Sequence, residues 1–462
     1  MRETAPEGRG PVRYGPPVPE SGRPVPPGLA ALLAAAAGRT DPEPPGGGAV
    51  LREAAAGYWW RRGLRGHAED SLAAPGAPAL LLALLAAHGG DVLLPRPCPA
   101  WWTPQIRLLG RPAYHVPTTA EAGGVPDPYA LLETVRRVRA EGGDPRVLLL
   151  SVADDPTATV APPELVRESC EAAVAEGLHV ISDETWRDTL HRPRETVVVS
   201  PAEMCPDDVT VLADLAGGGL VPASWPCAIA RFPPTGAARA DRYGDPRARA
   251  LDVLTALGAV LPAPVAPAVA HALDEPEDVF VPALRAAAAH GRIAAAAHRA
   301  VLAAGALARP PQAGRHLYAD LGPLRPGLAA RGVTDSLELE QYLTARLGRP
   351  VPGGHRFGDE LGALRVRLDT GPLLGVTPPE RAETLAARAP EQLPQTVRAL
   401  AELTAALDDL AEARPAGQPA AEPPPAEPPP AEPPPAEPPP AEPPAAEPPP
   451  AEPPPAQNGA RR

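Results

Sequence analysis

Five short apolar runs limit how this chain can fold. They are "DVLLP" at Asp91, "PAYHVP" at Pro112, "RVLLLSVA" at Arg146, "LHVISD" at Leu178 and "DVTVLAD" at Asp208. Each has strand length and reads as a buried strand, and helix-length segments such as Pro163 to Gly177 separate the last three. Parallel neighbours need a long crossover, usually a helix. The rhythm therefore predicts an α/β domain around a mainly parallel sheet.

Proline marks where that domain stops. The chain has 462 residues and 71 prolines, with the excess concentrated at its two ends. Residues 1–25 are expected to form an extended N-terminal arm. From Ala421 the unit "AEPPP" runs seven times, once varied to "AEPPA". That composition favours polyproline II, about 110 Å long at about 3.1 Å per residue. It has no apolar surface to bury, so residues 414–462 are expected to be a disordered tail. Such a tail serves as a spacer or as a strip for a partner with an aromatic-lined groove. Between the ends, residues 26–245 read as a large domain that starts with the helices in "GLAALLAAAAG" and "AVLREAAAGYWWRRGL". Residues 246–300 read as long interdomain helices, and residues 301–413 as a smaller C-terminal α/β domain.

The formal net charge is −13. From Ala421 onward, seven glutamates and two arginines supply −5 of it and leave −8 for residues 1–420. No basic patch appears, which argues against nucleic acid as a partner. Apolar runs such as Ala77 to Ala87 are too short to span a bilayer. The start lacks the basic-then-apolar order of a signal peptide. Cys98, Cys170, Cys205 and Cys227 have no metal-ligand spacing and read as reduced thiols of a cytoplasmic protein. All 43 basic residues are arginine: the sequence contains no lysine.

Three of the strand-like runs lead into acids. Asp155 follows the run at Arg146, Asp183 ends the run at Leu178, and Asp214 ends the run at Asp208. Ligands of open α/β sheets bind beyond the carboxyl ends of the strands, where these acids could converge. The competing reading is that each caps the helix after it. For Asp183 that helix would already have Glu184 or Thr185 as a cap. His179, inside its strand, reads as a satisfied core residue.

From Tyr14 to Ala413 the order of segments resembles fold-type-I pyridoxal-phosphate aminotransferases of class I/II, the aspartate aminotransferase-like group. "LREAAAGYWWRRGL" is similar to the family's first conserved helix. "SLAAPGAPALLLALL" resembles its cofactor-phosphate turn and helix, and "DDPTATVAPPEL" its "NPTG" loop. "SDETWRDTL" resembles its "SDE-I/V-Y" segment, and "RPVPGGHRFG…LRVRLDTG" its C-terminal region. The resemblance implies a PLP-dependent transferase-like large domain and a smaller α/β C-terminal domain. By it, Asp183 is the anion beside the cofactor's pyridine nitrogen, which keeps the ring an electron sink. Gly76 and Ala77 stand at the phosphate turn, where backbone N–H groups meet an anion. Arg365 or Arg367 takes the position of the arginine that binds the substrate carboxylate.

The departures are as specific as the matches. The asparagine of "NPTG" is Asp155, and the tyrosine after "SDE" is Trp186. The ring-stacking position falls on Pro99, with Trp101 or Trp102 able to slide over it or to serve as packing. The lysine position falls near Ala216, in "AGGG", with the phosphate-binding serine and arginine near Ala213 and Ser224. Alanine can neither form a Schiff base nor move a proton. The resemblance therefore implies no catalytic residue at that site, and PLP held noncovalently if at all. The first reading is a binding or regulatory pseudoenzyme, as a homodimer or a heterodimer with an active relative. The alternatives are a residual PLP-binding enzyme using Asp155, Asp183 or His179, and an interaction scaffold acting through the Pro-rich tail.

Overall fold

The computed structural model describes residues 23–119, 121–234 and 245–411. The repeat tail and nearly all of the N-terminal arm lie outside the described residues. Seven strands form the main sheet: β1 (Ser71–Ala74), β2 (Asp91–Arg96), β3 (Ala113–Pro117), β4 (Pro145–Ser151), β5 (His179–Asp183), β6 (Val209–Asp214) and β7 (Ala228–Arg231). Their spatial order is β1-β7-β6-β5-β4-β2-β3. The five from β6 to β3 run parallel, whereas β7 is antiparallel to both β6 and β1.

The parallel strands are the five runs read from the sequence. Their Val, Leu and Ile side chains alternate between two cores, one on each sheet face. Leu148, Leu150, Val180 and Val211 enter one core; Val147, Leu149, Ile181 and Leu212 enter the other. Full burial of each such side chain is worth about 1.5–3 kcal/mol, so the sheet centre is fixed from both sides.

A second sheet, all antiparallel, has the order β10-β9-β8 and consists of β8 (Leu307–Ala308), β9 (His316–Asp320) and β10 (Arg365–Asp369). The helix Glu277–Ala303 links the two layers. Val279 near its start enters a core of the main sheet, and Ala286, Ile293, Ala297 and Val301 enter the core of the second.

The helix-cap reading of the three acids does not hold. The chain makes turns after Asp183, and the next helix begins only at Pro201. The next helices after Asp155 and Asp214 begin at Pro163 and Pro246. None of the three carboxylates is used up by a helix that follows it. Among the described residues no helix is long and apolar enough to cross a membrane, the four cysteines are free thiols, and no acid, His or Cys group has a metal-binding arrangement.

Candidate active-site crevice

Strand register brings the three acids together. β4 and β5 align Ser151 with Asp183, and β5 and β6 align Asp183 with Leu212. Asp155, Asp183 and Asp214 consequently line one small cavity at the carboxyl edge of the sheet, together with Pro99, Trp101 and Trp186.

Asp183 lies at its floor, buried. Its Oδ1 accepts from the Thr185 backbone N at 3.0 Å and the Thr185 hydroxyl at 2.6 Å. Burial pushes its carboxyl up to about 7, with the charges of Asp214 and Asp155 adding to the rise and the Thr185 bonds opposing it. The group is a buried acid with its proton poised near neutrality.

Asp155 is held from the second sheet. Arg367 Nη1 donates to its Oδ1 at 2.8 Å and Oδ2 at 3.1 Å, while Arg367 Nε lies 3.0 Å from Asp369 Oδ1. His316 Nε2 lies 3.8 Å from the same Asp155 oxygen and 3.2 Å from the Asp154 carbonyl. Burial holds the His316 imidazole below its ordinary pKa. The two candidate arginines part company here. Strand alternation in β10 places both on one face, but Arg365 is bonded to Asp320 at 3.0 Å and Asp359 at 3.1 Å, away from the crevice.

Asp214 sits at the start of the helix Ala77–His88. Its Oδ2 accepts from Ala77 N at 3.1 Å, and its Oδ1 from Gly217 N at 2.7 Å. Gly76, with φ of 97°, turns the chain into the helix at Ala77, whose N–H meets Asp214, while Pro78 after it has no N–H to offer. An internal carboxylate thus occupies the anion-favouring helix end. Ala216 is buried in a core, and the glycine run after it is tight. A Cβ on Gly218 would come within 2.7 Å of the Thr185 carbonyl oxygen.

The tryptophans serve as walls. Trp101 and Trp102 meet edge to face at 6.4 Å and both enter a main-sheet core, Trp101 also lining the crevice. Trp186 packs edge-on against His316 at 5.5 Å, and Arg315 stands 5.2 Å above its ring while donating to the Gly217 carbonyl. Thr185, read with Glu184 as a candidate helix cap, instead bonds Asp183. Arg315 and His316 carry no signal in the sequence, since only the fold brings residues 315–316 to residues 183–186.

This arrangement is the aminotransferase class I and II fold. Residues 33–213 match the sequence profile described as "Aminotransferase class I and II". A probable aspartate/prephenate aminotransferase from Thermus aquaticus is 29% identical over 148 residues, 31% of this chain and 36% of the relative. The match thus spans about a third of the length of that curated relative. The aspartate aminotransferase of Thermus thermophilus superimposes with a TM-score of 0.66 at 21% identity, over 85% of this chain and 90% of that one. The N-succinyldiaminopimelate aminotransferase of Mycobacterium tuberculosis gives 0.65 at 21% identity, over 84% and 91%. The aromatic aminotransferase of Pyrococcus horikoshii OT3 gives 0.66 at 18% identity, over 85% and 95%.

Class I and II aminotransferases are PLP-dependent, so PLP is the cofactor to test against this geometry. The residues as arranged do not fit it. The crevice has a cavity volume of about 10 Å³, room for one water at most, whereas ligand pockets run to about 300–1,000 Å³. The helix end at Ala77 already holds Asp214, and the guanidinium of Arg367 already holds Asp155. Asp183 retains a position suited to a ring nitrogen, but nothing around it leaves space for the ring.

Proposed function

We propose that this chain is an aminotransferase-fold protein that does not transaminate and acts as a binding or regulatory protein, in the cytoplasm, as a homodimer or paired with an active relative. One observation supports this most: its own carboxylates take the two positions where the resemblance puts the anions of cofactor and substrate. Asp214 accepts from the backbone at Ala77 and Gly217, and Asp155 takes Arg367. With no lysine in the sequence, no side chain here can form the Schiff base, and an arginine, held as a cation by its very high pKa, is no substitute. What remains in the crevice is the Asp183 carboxyl, its pKa raised by burial to about 7, and hydrogen bonds within the protein. The Pro-rich tail is assigned the part of a spacer or groove ligand.

A second reading, noncovalent PLP with residual chemistry, draws on the buried Asp183 carboxyl at the end of β5. One experiment separates the two. Purified full-length chain is titrated with PLP while absorbance and thermal shift are followed, then challenged with an amino-acid pool. The first reading expects no imine band and no pyridoxamine phosphate. Conversion to pyridoxamine phosphate would overturn it, and PLP binding without conversion would favour the second.

A further inference from the structure

Among the described residues, a second and larger cavity lies apart from the crevice. It is open, has a volume of about 600 Å³, and sits between the β2–β3 edge of the main sheet and the second sheet. One wall holds Arg96 and Pro97, at the end of β2, with Thr118 and Thr119 just past β3. The facing wall holds Leu302, Leu307, Arg309 and Arg365. Its volume falls within the range of small-molecule sites.

The charges in its walls are unevenly satisfied. Asp320 and Asp359 both bond to Arg365, and Tyr318 donates its hydroxyl to Asp359 at 2.7 Å. Those acids are neutralised within the protein. Among the described residues Arg96 pairs with Glu360 alone, at 3.5 Å and 81% exposed, a pair worth little in water. Arg309 donates Nη2 to the Thr119 carbonyl at 2.8 Å, and among the described residues no carboxylate comes within ion-pairing distance of it. Partial burial draws its pKa down, so an anion there would relieve a desolvated cation. On the same residue that Arg309 touches, the Thr119 hydroxyl is buried without a partner among the described residues. Around these polar groups stand Pro97, Leu302 and Leu307, the two leucines 45% and 58% exposed. Asp154 and Glu121 act on Arg309 only through their charge, without pairing directly. A guanidinium so placed beside open apolar walls calls for a ligand with one anionic end and one apolar end.

We propose that this cavity is a binding site for a small amphiphilic carboxylate, with its carboxylate on Arg309 and its apolar body against Pro97, Leu302 and Leu307. The site shares no lining residue with the crevice, and Thr157 in its wall bonds Asp154 in the crevice loop.

Isothermal titration of the full-length chain tests it, with 4-methylpentanoate and benzoate as probes and 4-methylpentanamide as the uncharged isostere. Both carboxylates should bind, and the amide about ten- to a hundred-fold more weakly, the value of a charge-assisted hydrogen bond. Arg309→Gln should lose a similar factor. Leu302→Trp, placed at a half-exposed helix position, should narrow the cavity and weaken both carboxylates. If Arg309→Gln does not fold, the amide comparison on the parent chain still decides. Equal affinity for amide and acid, no binding of either carboxylate, or full affinity in Leu302→Trp would overturn the proposal.

Discussion

Arg367 grips Asp155, 212 residues earlier in the chain, with Nη1 at 2.8 Å from Oδ1 and 3.1 Å from Oδ2. The pair joins the second sheet to the loop after β4 and closes one side of the crevice. Asp155 has 3% of its side chain exposed and Arg367 12%. Removing one member strands the other, the costly way to break a buried pair. Asp155→Asn should therefore destabilise the fold by about 2–4 kcal/mol, less than the loss of every partner because Asp369 still holds Arg367. Urea unfolding at pH 7 measures it. A change below about 0.5 kcal/mol, within the range of ordinary surface substitutions, would mean that the pair does not bind the two layers together.

The buried acid at the end of β5 makes a pH prediction with a definite sign. In the unfolded chain Asp183 loses its proton near pH 4; in the fold it does so at about 7. Between these values the folded state holds more protons, so this group's contribution to stability is full below about pH 4 and falls as pH rises to 7. Asp183→Asn removes the penalty. The variant's stability relative to the parent should rise between pH 4 and 7.5 by up to about 4 kcal/mol. Parallel denaturation series at the two pH values give the difference, and a flat one would refute the raised carboxyl.

Asp214 accepts from two backbone N–H groups that have no other carboxylate to turn to. Asp214→Ala should cost about 1–3 kcal/mol, the sum of a lost cap and an orphaned donor. Asp214→Asn, which keeps an acceptor oxygen but loses the charge, should cost less. The order of the two midpoints in chemical denaturation is the check; equal losses would mean that charge alone matters.

Restoring the missing amine should not restore chemistry. Ala216 is 3% exposed, and a lysine there overpacks the core by about 1–3 kcal/mol. With Asp214 and Asp155 still in place, Ala216→Lys is expected to give no Schiff-base absorbance with PLP. A stable imine in that single variant would show that the lysine was the only thing lacking.

The parallel core was readable because β2, β4, β5 and β6 carry runs of Val, Leu and Ile that suit a buried sheet. β3, read as buried, is instead a half-exposed edge strand with one buried Val. β1, "SLAA", and β7, "AIAR", were not read, since short alanine-rich segments have no strand period and are fixed by their pairing with each other. The same divide runs through the crevice. Asp155, Asp183 and Trp186 stand out within local motifs, and their convergence follows from strand order. Ala77 lies 137 residues from Asp214, and Arg367 lies 212 from Asp155. Such distant pairings leave no trace in spacing, so the sequence offered two arginines, Arg365 and Arg367, without saying which acid each would meet.

Asp214 ties the end of β6 to the first N–H of the helix Ala77–His88 and to the turn at Gly217. Any outside anion aimed at that helix end must wait for this carboxylate to swing out. Its arrival would therefore be gated: the observed association rate would climb with ligand concentration and then level off at the opening rate of the chain itself. A lock of this kind responds to time as much as to affinity. A brief pulse of ligand would leave it shut, and a sustained one would find it open.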